Sequence, residues 1–190
     1  MLKQLLDWDR EAFIYLNGLG IETYDVFWSI VTNITTWIPL FILFIGLLFT
    51  KFSRREASLK LLTLLGLVIF ITTITHLTKI SVARLRPNNT EEINMLIRIL
   101  KSPTDFSFFS GHASSSFSIT VLMYLFLQKK TKWAILFFIW PLLFSLSRIY
   151  VGVHFPLDIM AGAVVGILSG LLFYKLYQLF ISPYSTLTHP

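Results

Sequence analysis

Ser147-Arg148-Ile149-Tyr150-Val151-Gly152-Val153-His154-Phe155-Pro156-Leu157-Asp158 places an arginine, a histidine and an aspartate within 12 residues, between two long apolar runs. Ionisable groups at a membrane boundary are costly unless they are paired or functional. The stretch therefore reads as a polar turn joining two spans. Arg148 ends one helix and His154 sits in the turn. Pro156 opens the next helix, where a missing N–H costs nothing. Asp158 falls in its first turn, four residues after His154, close enough for the two to meet.

Composition agrees with this reading. Of 190 residues, 55% are hydrophobic and 14% charged, against about 25% charged in soluble domains. Mean hydropathy is +0.70. The chain is expected to be an integral membrane protein with one domain over residues 1–190. With no cysteine, disulfides and thiolate metal sites are excluded. The net charge of +6 reads as lysine and arginine in cytoplasmic loops rather than as a nucleic-acid surface, so no nucleic-acid partner is expected. Residues Met1 to Asp25 carry five acidic residues and no uninterrupted apolar run, so no signal peptide is expected.

A helix needs about 20 apolar residues to cross a bilayer core of ~30 Å. Five stretches qualify, at about 26–50, 57–79, 111–128, 132–149 and 156–180, with Pro39 expected to kink the first. Before them, Leu2, Leu5, Leu6, Trp8, Phe13 and Leu16 alternate with charged residues at helical spacing. That segment is too charged to span and is expected to lie in the interface. The fold class expected is an all-α membrane protein, a bundle of about five transmembrane helices plus an N-terminal interfacial amphipathic helix. Gly162, Gly166 and Gly170 form a small-residue row that should pack within this bundle rather than dimerise it. The 18 phenylalanines read mainly as lipid-facing bulk.

The connections Lys51-Phe52-Ser53-Arg54-Arg55 and Gln128-Lys129-Lys130-Thr131-Lys132 are short and basic. Both fall on one side if the helices alternate, and that side should be cytoplasmic, as should the tail from about Ile181. The opposite side receives the N-terminal segment, the 80–110 connection and the 149–155 turn. In the long connection, Glu91 to Leu100 is expected to form a second interfacial helix, with Ile93, Leu96, Ile97 and Leu100 on one face.

This topology gathers the polar residues. Lys79, Arg84 and Arg86 fall at the outer end of the second span, and Ser110, Gly111 and His112 at the outer start of the third. Ser147 and Arg148 end the fourth, and His154 and Asp158 open the fifth. Nothing in the alternation required them to share a side. Arginine binds a phosphate bidentately and lysine as a point charge. The start of the third span offers free backbone N–H groups to an anion, and Gly111 allows close approach. A neutral imidazole can attack phosphorus while a carboxylate fixes its tautomer. A second histidine can protonate the leaving oxygen, and cations stabilise the transferring group. No Asp/Glu cluster suggests a metal, and no cofactor is expected. Arg84 reads equally as a headgroup or a substrate contact. His76 reads as a buried, hydrogen-bonded histidine. Ser114, Ser115, Ser116 and Ser118 read as helix-packing or backbone-bonded serines.

These residues also carry a resemblance. Lys79, six residues, then Arg86-Pro87; Ser110-Gly111-His112; and Ser147-Arg148, five residues, His154, three residues, Asp158 resemble the three motifs of the type 2 phosphatidic acid phosphatase (PAP2) superfamily, in its order. Phe109 stands where the second motif usually has proline, and is expected to alter the approach to the third span rather than the chemistry. The resemblance implies a metal-independent phosphatase with a phosphohistidine intermediate. His154 would be the nucleophile, Asp158 its partner and His112 the general acid. Lys79, Arg86, Arg148, Ser110 and Gly111 would cradle the phosphate. It implies a membrane lipid phosphate as substrate and an active site on the outer face of the inner membrane. Little external mass is available for a bulky glycolipid, so undecaprenyl pyrophosphate leads, with lipid A or phosphatidylglycerol phosphate as alternatives. A non-catalytic lipid-phosphate binding or transport protein is the alternative of another class, and vanadate-dependent oxidation a remoter one.

Overall fold

The structure, a computed structural model, describes residues 1–181. Its helices are α1 (Leu2–Gly18), α2 (Asp25–Val31), α3 (Ile38–Lys51), α4 (Arg54–Val82), α5 (Glu91–Asn94), α6 (Gly111–Leu127), α7 (Ile139–Tyr150) and α8 (Pro156–Leu176). A 3-10 turn, Ile34–Trp37, runs into α3, and another, Ala134–Phe138, runs into α7. The stretches Ile34–Lys51 and Pro156–Ile181, and the one that begins with α4, are long and apolar enough to cross a membrane. The shorter apolar helices Gly111–Leu127 and Ala134–Tyr150 complete the expected five. The expected cytoplasmic tail lies outside the described residues.

The first span is not one kinked helix. It breaks after α2 because Asn33 and Thr36 engage local backbone instead of continuing the ladder. Asn33 Oδ1 accepts from Thr35 N at 3.2 Å, and Thr36 Oγ1 donates to Ile30 O at 2.8 Å. Pro39 sits at the start of α3, where it fits without bending anything.

The helix α4 opens with a capping box between Ser53 and Glu56 and runs for 29 residues, about 44 Å at the α-helical rise. It ends at Ala83, left-handed with φ 49°, and this reversal turns Arg84 and Arg86 back toward the bundle end. The helix α6 runs between α4 and α8. A Cβ on Gly162, Gly166 or Gly170 would come 2.6, 2.4 and 2.9 Å from the carbonyl oxygens of Ser110, Ser114 and Ser118. The glycine row thus lets α8 lie directly on α6, inside the bundle. Thr75 Oγ1 meets Ser114 Oγ at 3.1 Å across α4 and α6. Ser115, Ser116 and Ser118 donate to carbonyls within their own helix.

One end of the bundle closes on an aromatic core of Phe44, Phe126, Phe137, Trp140, Phe144 and Tyr177. Among the phenylalanines only Phe27, Phe49 and Phe180 are largely exposed, which corrects the reading of phenylalanine as lipid-facing bulk. Leucine and isoleucine supply most of the exposed apolar surface.

The opposite end, which carries the motif residues, departs further from expectation. The segment 91–100 forms only the four-residue α5. Tertiary bonds replace the remaining helical ones. Arg98 N donates to Asn17 Oδ1 at 2.7 Å, and Asn17 Nδ2 donates to the carbonyls of Arg98, Ile149 and Tyr150 at 3.0–3.1 Å. Leu100 N reaches Val151 O at 3.2 Å. In α1, Asp9, Phe13 and Asn17 form one stripe at four-residue spacing, and all three are fully buried. The expected apolar face is therefore interrupted by two polar side chains that point into the protein.

Candidate active site

His154 lies in the turn between α7 and α8 and Asp158 in the first turn of α8, both buried. His154 Nδ1 lies 3.4 Å from Asp158 Oδ2, and Arg86 Nη1 lies 3.0 Å from His154 Nε2. A guanidinium can only donate. Nε2 therefore holds the lone pair and Nδ1 carries the proton, directed at the carboxylate. Burial, then the charges of Arg86 and Arg148, push the His154 imidazole well below its usual range, so it is neutral at pH 7. The result is a neutral imidazole whose Nε2 lone pair is held by Arg86.

Asp158 is held from several sides. Its Oδ2 accepts from Phe155 N at 3.0 Å and from the Ser107 hydroxyl, and its Oδ1 accepts from Arg84 Nη1 at 2.7 Å. Arg84 Nη2 continues to Asp9 Oδ2 at 2.6 Å. Arg84 is thus bound to two carboxylates rather than facing headgroups or substrate.

Of the expected cradle, Arg86 and Lys79 converge on one anion. Lys79 Nζ lies 2.5 Å from Asp105 Oδ2, and Arg86 Nη2 lies 2.9 and 3.1 Å from the two Asp105 oxygens. Burial alone would raise the Asp105 carboxyl, but the Lys79 hydrogen bond and the Arg86 charge outweigh it and hold it below the usual carboxylate range. A half-exposed carboxylate thus sits on the two cations expected to receive phosphate.

Arg148 and His112 face a second space. A cavity of about 500 Å3 is lined by Thr32, Asn33, Ile34, Lys101, Ser102, Pro103, His112 and Arg148. Arg148 is buried, and its Nη1 donates to the Thr32 hydroxyl. Its Nε has no partner among the described residues, a cost that an incoming anion would relieve. The His112 ring packs on Phe144 with centroids 4.7 Å apart.

Ser110 caps α6 through Ala113 N at 3.4 Å, and its own N–H donates to Asp158 O at 2.9 Å. Its hydroxyl is therefore engaged by its helix, and its backbone ties α6 to α8. The cap forms with buried Phe109 in place of the motif proline. Gly111 brings α6 against Thr75, where a Cβ would lie 3.2 Å from the threonine methyl. His76 is exposed rather than buried; with Lys79, Gly111 and Ser115 it lines a cavity of about 270 Å3. Among the described residues no three His, Asp or Glu side chains are grouped to hold a metal.

Sequence reasoning missed Asp9, Asp105, Ser107 and Thr32 as partners in the site. For Asp9 a signal existed, in the i, i+4, i+8 stripe with Phe13 and Asn17. Ser107 and Thr32 carried none.

Residues 57–182 match the model of the PAP2 superfamily. The chain is 29% identical to a lipid A 4′-phosphatase of Bacteroides thetaiotaomicron, over 92% of this chain and 79% of the relative. It is 34% identical to an undecaprenyl-diphosphatase of Sulfolobus acidocaldarius, over 86% of this chain and 76% of the relative. Its fold matches the crystal structure of a transmembrane PAP2-type phosphatidylglycerolphosphate phosphatase from Bacillus subtilis, with TM-score 0.74, 19% identity and coverage of 93% and 88% of the two chains. The crystal structure of Aquifex aeolicus LpxE matches with TM-score 0.62 at 27% identity, covering 87% and 93%. With its motif residues assembled at one end of a helical bundle, this multi-pass membrane protein belongs to the PAP2 superfamily.

Proposed function

We propose that the protein hydrolyses a lipid phosphate or pyrophosphate through a phosphohistidine on His154. The observation that carries this is the Arg86–His154–Asp158 alignment, which fixes the proton on Nδ1 and keeps the Nε2 lone pair for phosphorus once Arg86 turns to the phosphate. Nε2 attacks the terminal phosphorus, its P–O bond to the lipid alcohol or, in a pyrophosphate, to the bridging oxygen breaks, and protonated His112 gives the leaving oxygen its proton. The His154 ring becomes cationic, and Asp158 stabilises that charge through Nδ1–H. Water, deprotonated by His112, then attacks phosphorus and breaks the P–N bond. Phosphate leaves and His154 returns neutral. Arg86, Arg148 and Lys79 offset the charge on the equatorial oxygens, and the N-terminus of α6 at Ser110 and Gly111 adds its dipole.

Undecaprenyl pyrophosphate is our first substrate. An apolar cavity of about 400 Å3 between α3 and α4, lined by residues such as Phe41, Phe44 and Leu64, shares Ile34 with the cavity of His112 and Arg148. A phosphate beside His112 and Arg148 would thus continue into a single polyisoprenoid chain. The lipid A 4′-phosphatase relative, aligned over most of the chain, supports a lipid A phosphate as the second reading. We place the protein in the bacterial cytoplasmic membrane with this site facing outward, on the strength of the basic inner connections.

Phosphate release from both lipids by detergent-purified protein, compared with His154→Ala, tests the proposal. Release by the wild type and none by the variant is expected. Equal release would remove His154 as nucleophile, and no release from any lipid phosphate by the wild type would favour binding without turnover.

A further inference from the structure

Asp9 is a buried carboxylate with no place in the chemistry above. Its Oδ2 accepts from Arg84 Nη2 at 2.6 Å, and its Oδ1 accepts from Leu157 N at 2.8 Å. Leu157 N is one of the free amides at the start of α8, one residue before Asp158. Arg84 spans the gap, with Nη1 2.7 Å from Asp158 Oδ1 and its guanidinium 4.1 Å over the Phe155 ring. Phe155 in turn packs edge-on to Phe13 of α1, centroids 5.3 Å apart. Both carboxylates are fully buried, while the Arg84 side chain is 19% exposed.

We propose that Arg84, locked in place by Asp9, is a positioning residue for Asp158, and that α1 is thereby a working part of the active site rather than only a membrane anchor. A carboxylate is free to rotate about its last bond. Arg84 claims Oδ1, and this leaves Oδ2 facing His154 Nδ1. The charge balance points the same way. A lone arginine on Asp158 would cancel the negative charge that the phosphorylated imidazole needs. Asp9 neutralises Arg84, so Asp158 keeps its charge for His154. Burying three charges in a row is costly when they serve only stability. Here they orient a fourth group.

The inference rests on the proposed role of His154, and the experiment separates the two. Asp9→Asn, Arg84→Gln and the double variant are purified in detergent beside the wild type and His154→Ala. Turnover is measured with the lipid that the wild type hydrolyses, and the imidazole Nδ1–H proton resonance of His154 is recorded without substrate. Each single variant should lose about 10–100-fold in kcat with KM little changed, the usual cost of removing an orienting partner. The double variant should be no worse than Arg84→Gln, because the two act as one unit. The Nδ1–H proton resonance of His154, deshielded by Asp158 Oδ2 in the wild type, should move upfield in Arg84→Gln while Arg86 keeps the tautomer unchanged, a readout independent of turnover. Addition of guanidinium to Arg84→Ala should restore part of the kcat. Unchanged kcat and an unmoved Nδ1–H resonance in both single variants, with His154→Ala inactive, would overturn the bridge and leave the nucleophile standing. Activity in His154→Ala would overturn the nucleophile, and the Nδ1–H resonance of the other variants would still decide the bridge. Losses that follow only a lower melting temperature, with the Nδ1–H resonance unmoved, would also overturn it.

Discussion

Arg86 Nη1 stands 3.0 Å from His154 Nε2 and 2.8 Å from the Val153 carbonyl. One guanidinium nitrogen thus bonds the candidate nucleophile and the backbone beside it. The contact sets the tautomer. When phosphate arrives, the same donor must leave Nε2 for an equatorial oxygen.

Arg86→Lys should therefore be a severe change despite the retained charge. It loses the fork that spans His154, Val153 and Asp105. The expected loss in kcat is about 100-fold or more, the scale of one preorganised donor to a developing oxyanion. Steady-state kinetics on the preferred lipid check it; a loss under about threefold would mean that Arg86 serves only as a charge.

Asp105 pairs with both Lys79 and Arg86. An incoming phosphate must compete with it for them. Asp105→Asn should make inorganic phosphate a stronger inhibitor, read as a lower inhibition constant at pH 7. A weaker inhibition would show that Asp105 orients the two cations for phosphate instead of competing with it.

His154 supplies a pH dependence. Its folded pKa is depressed by burial and by Arg86 and Arg148, whereas the unfolded chain protonates near pH 6.5. The unfolded state binds the extra proton first, so this group's contribution to stability is present above about 6.5 and is lost as pH falls below it. Thermal unfolding in detergent from about pH 8 to pH 5 should show the decline, and it should be smaller in His154→Ala.

Gly166 should not tolerate alanine. The added Cβ would lie 2.4 Å from Ser114 O, where backbone faces backbone. Overpacking of this kind costs about 1–3 kcal/mol, visible as a lower melting temperature. Gly46, with nothing within 4 Å of its Cβ position, is the control. Gly46→Ala should be neutral or stabilising by up to about 1 kcal/mol through helix propensity.

The amino-acid order determined the architecture because a bilayer leaves few choices. Five apolar runs must become helices, since unsatisfied backbone is intolerable in lipid. Short basic connections then fix which ends lie together. That logic alone brought Lys79, Arg86, Ser110, His112, Arg148, His154 and Asp158 to one level of the bundle. Spacing also identified the glycine row of α8 as a packing face.

Tertiary structure decided what those residues touch. Asn17 takes the backbone bonds that would have let 91–100 stay helical, and Asn33 breaks the first span. Both effects depend on partners far away or on a local competition that period-counting does not register. The burial of Asp9 contradicts its rank as a surface residue; only the meeting of α1 with Arg84 and the start of α8 makes it tolerable. His154 and Asp158 were legible because they are four residues apart on one turn. Arg84 was not, because its role needs two carboxylates that come from opposite ends of the chain.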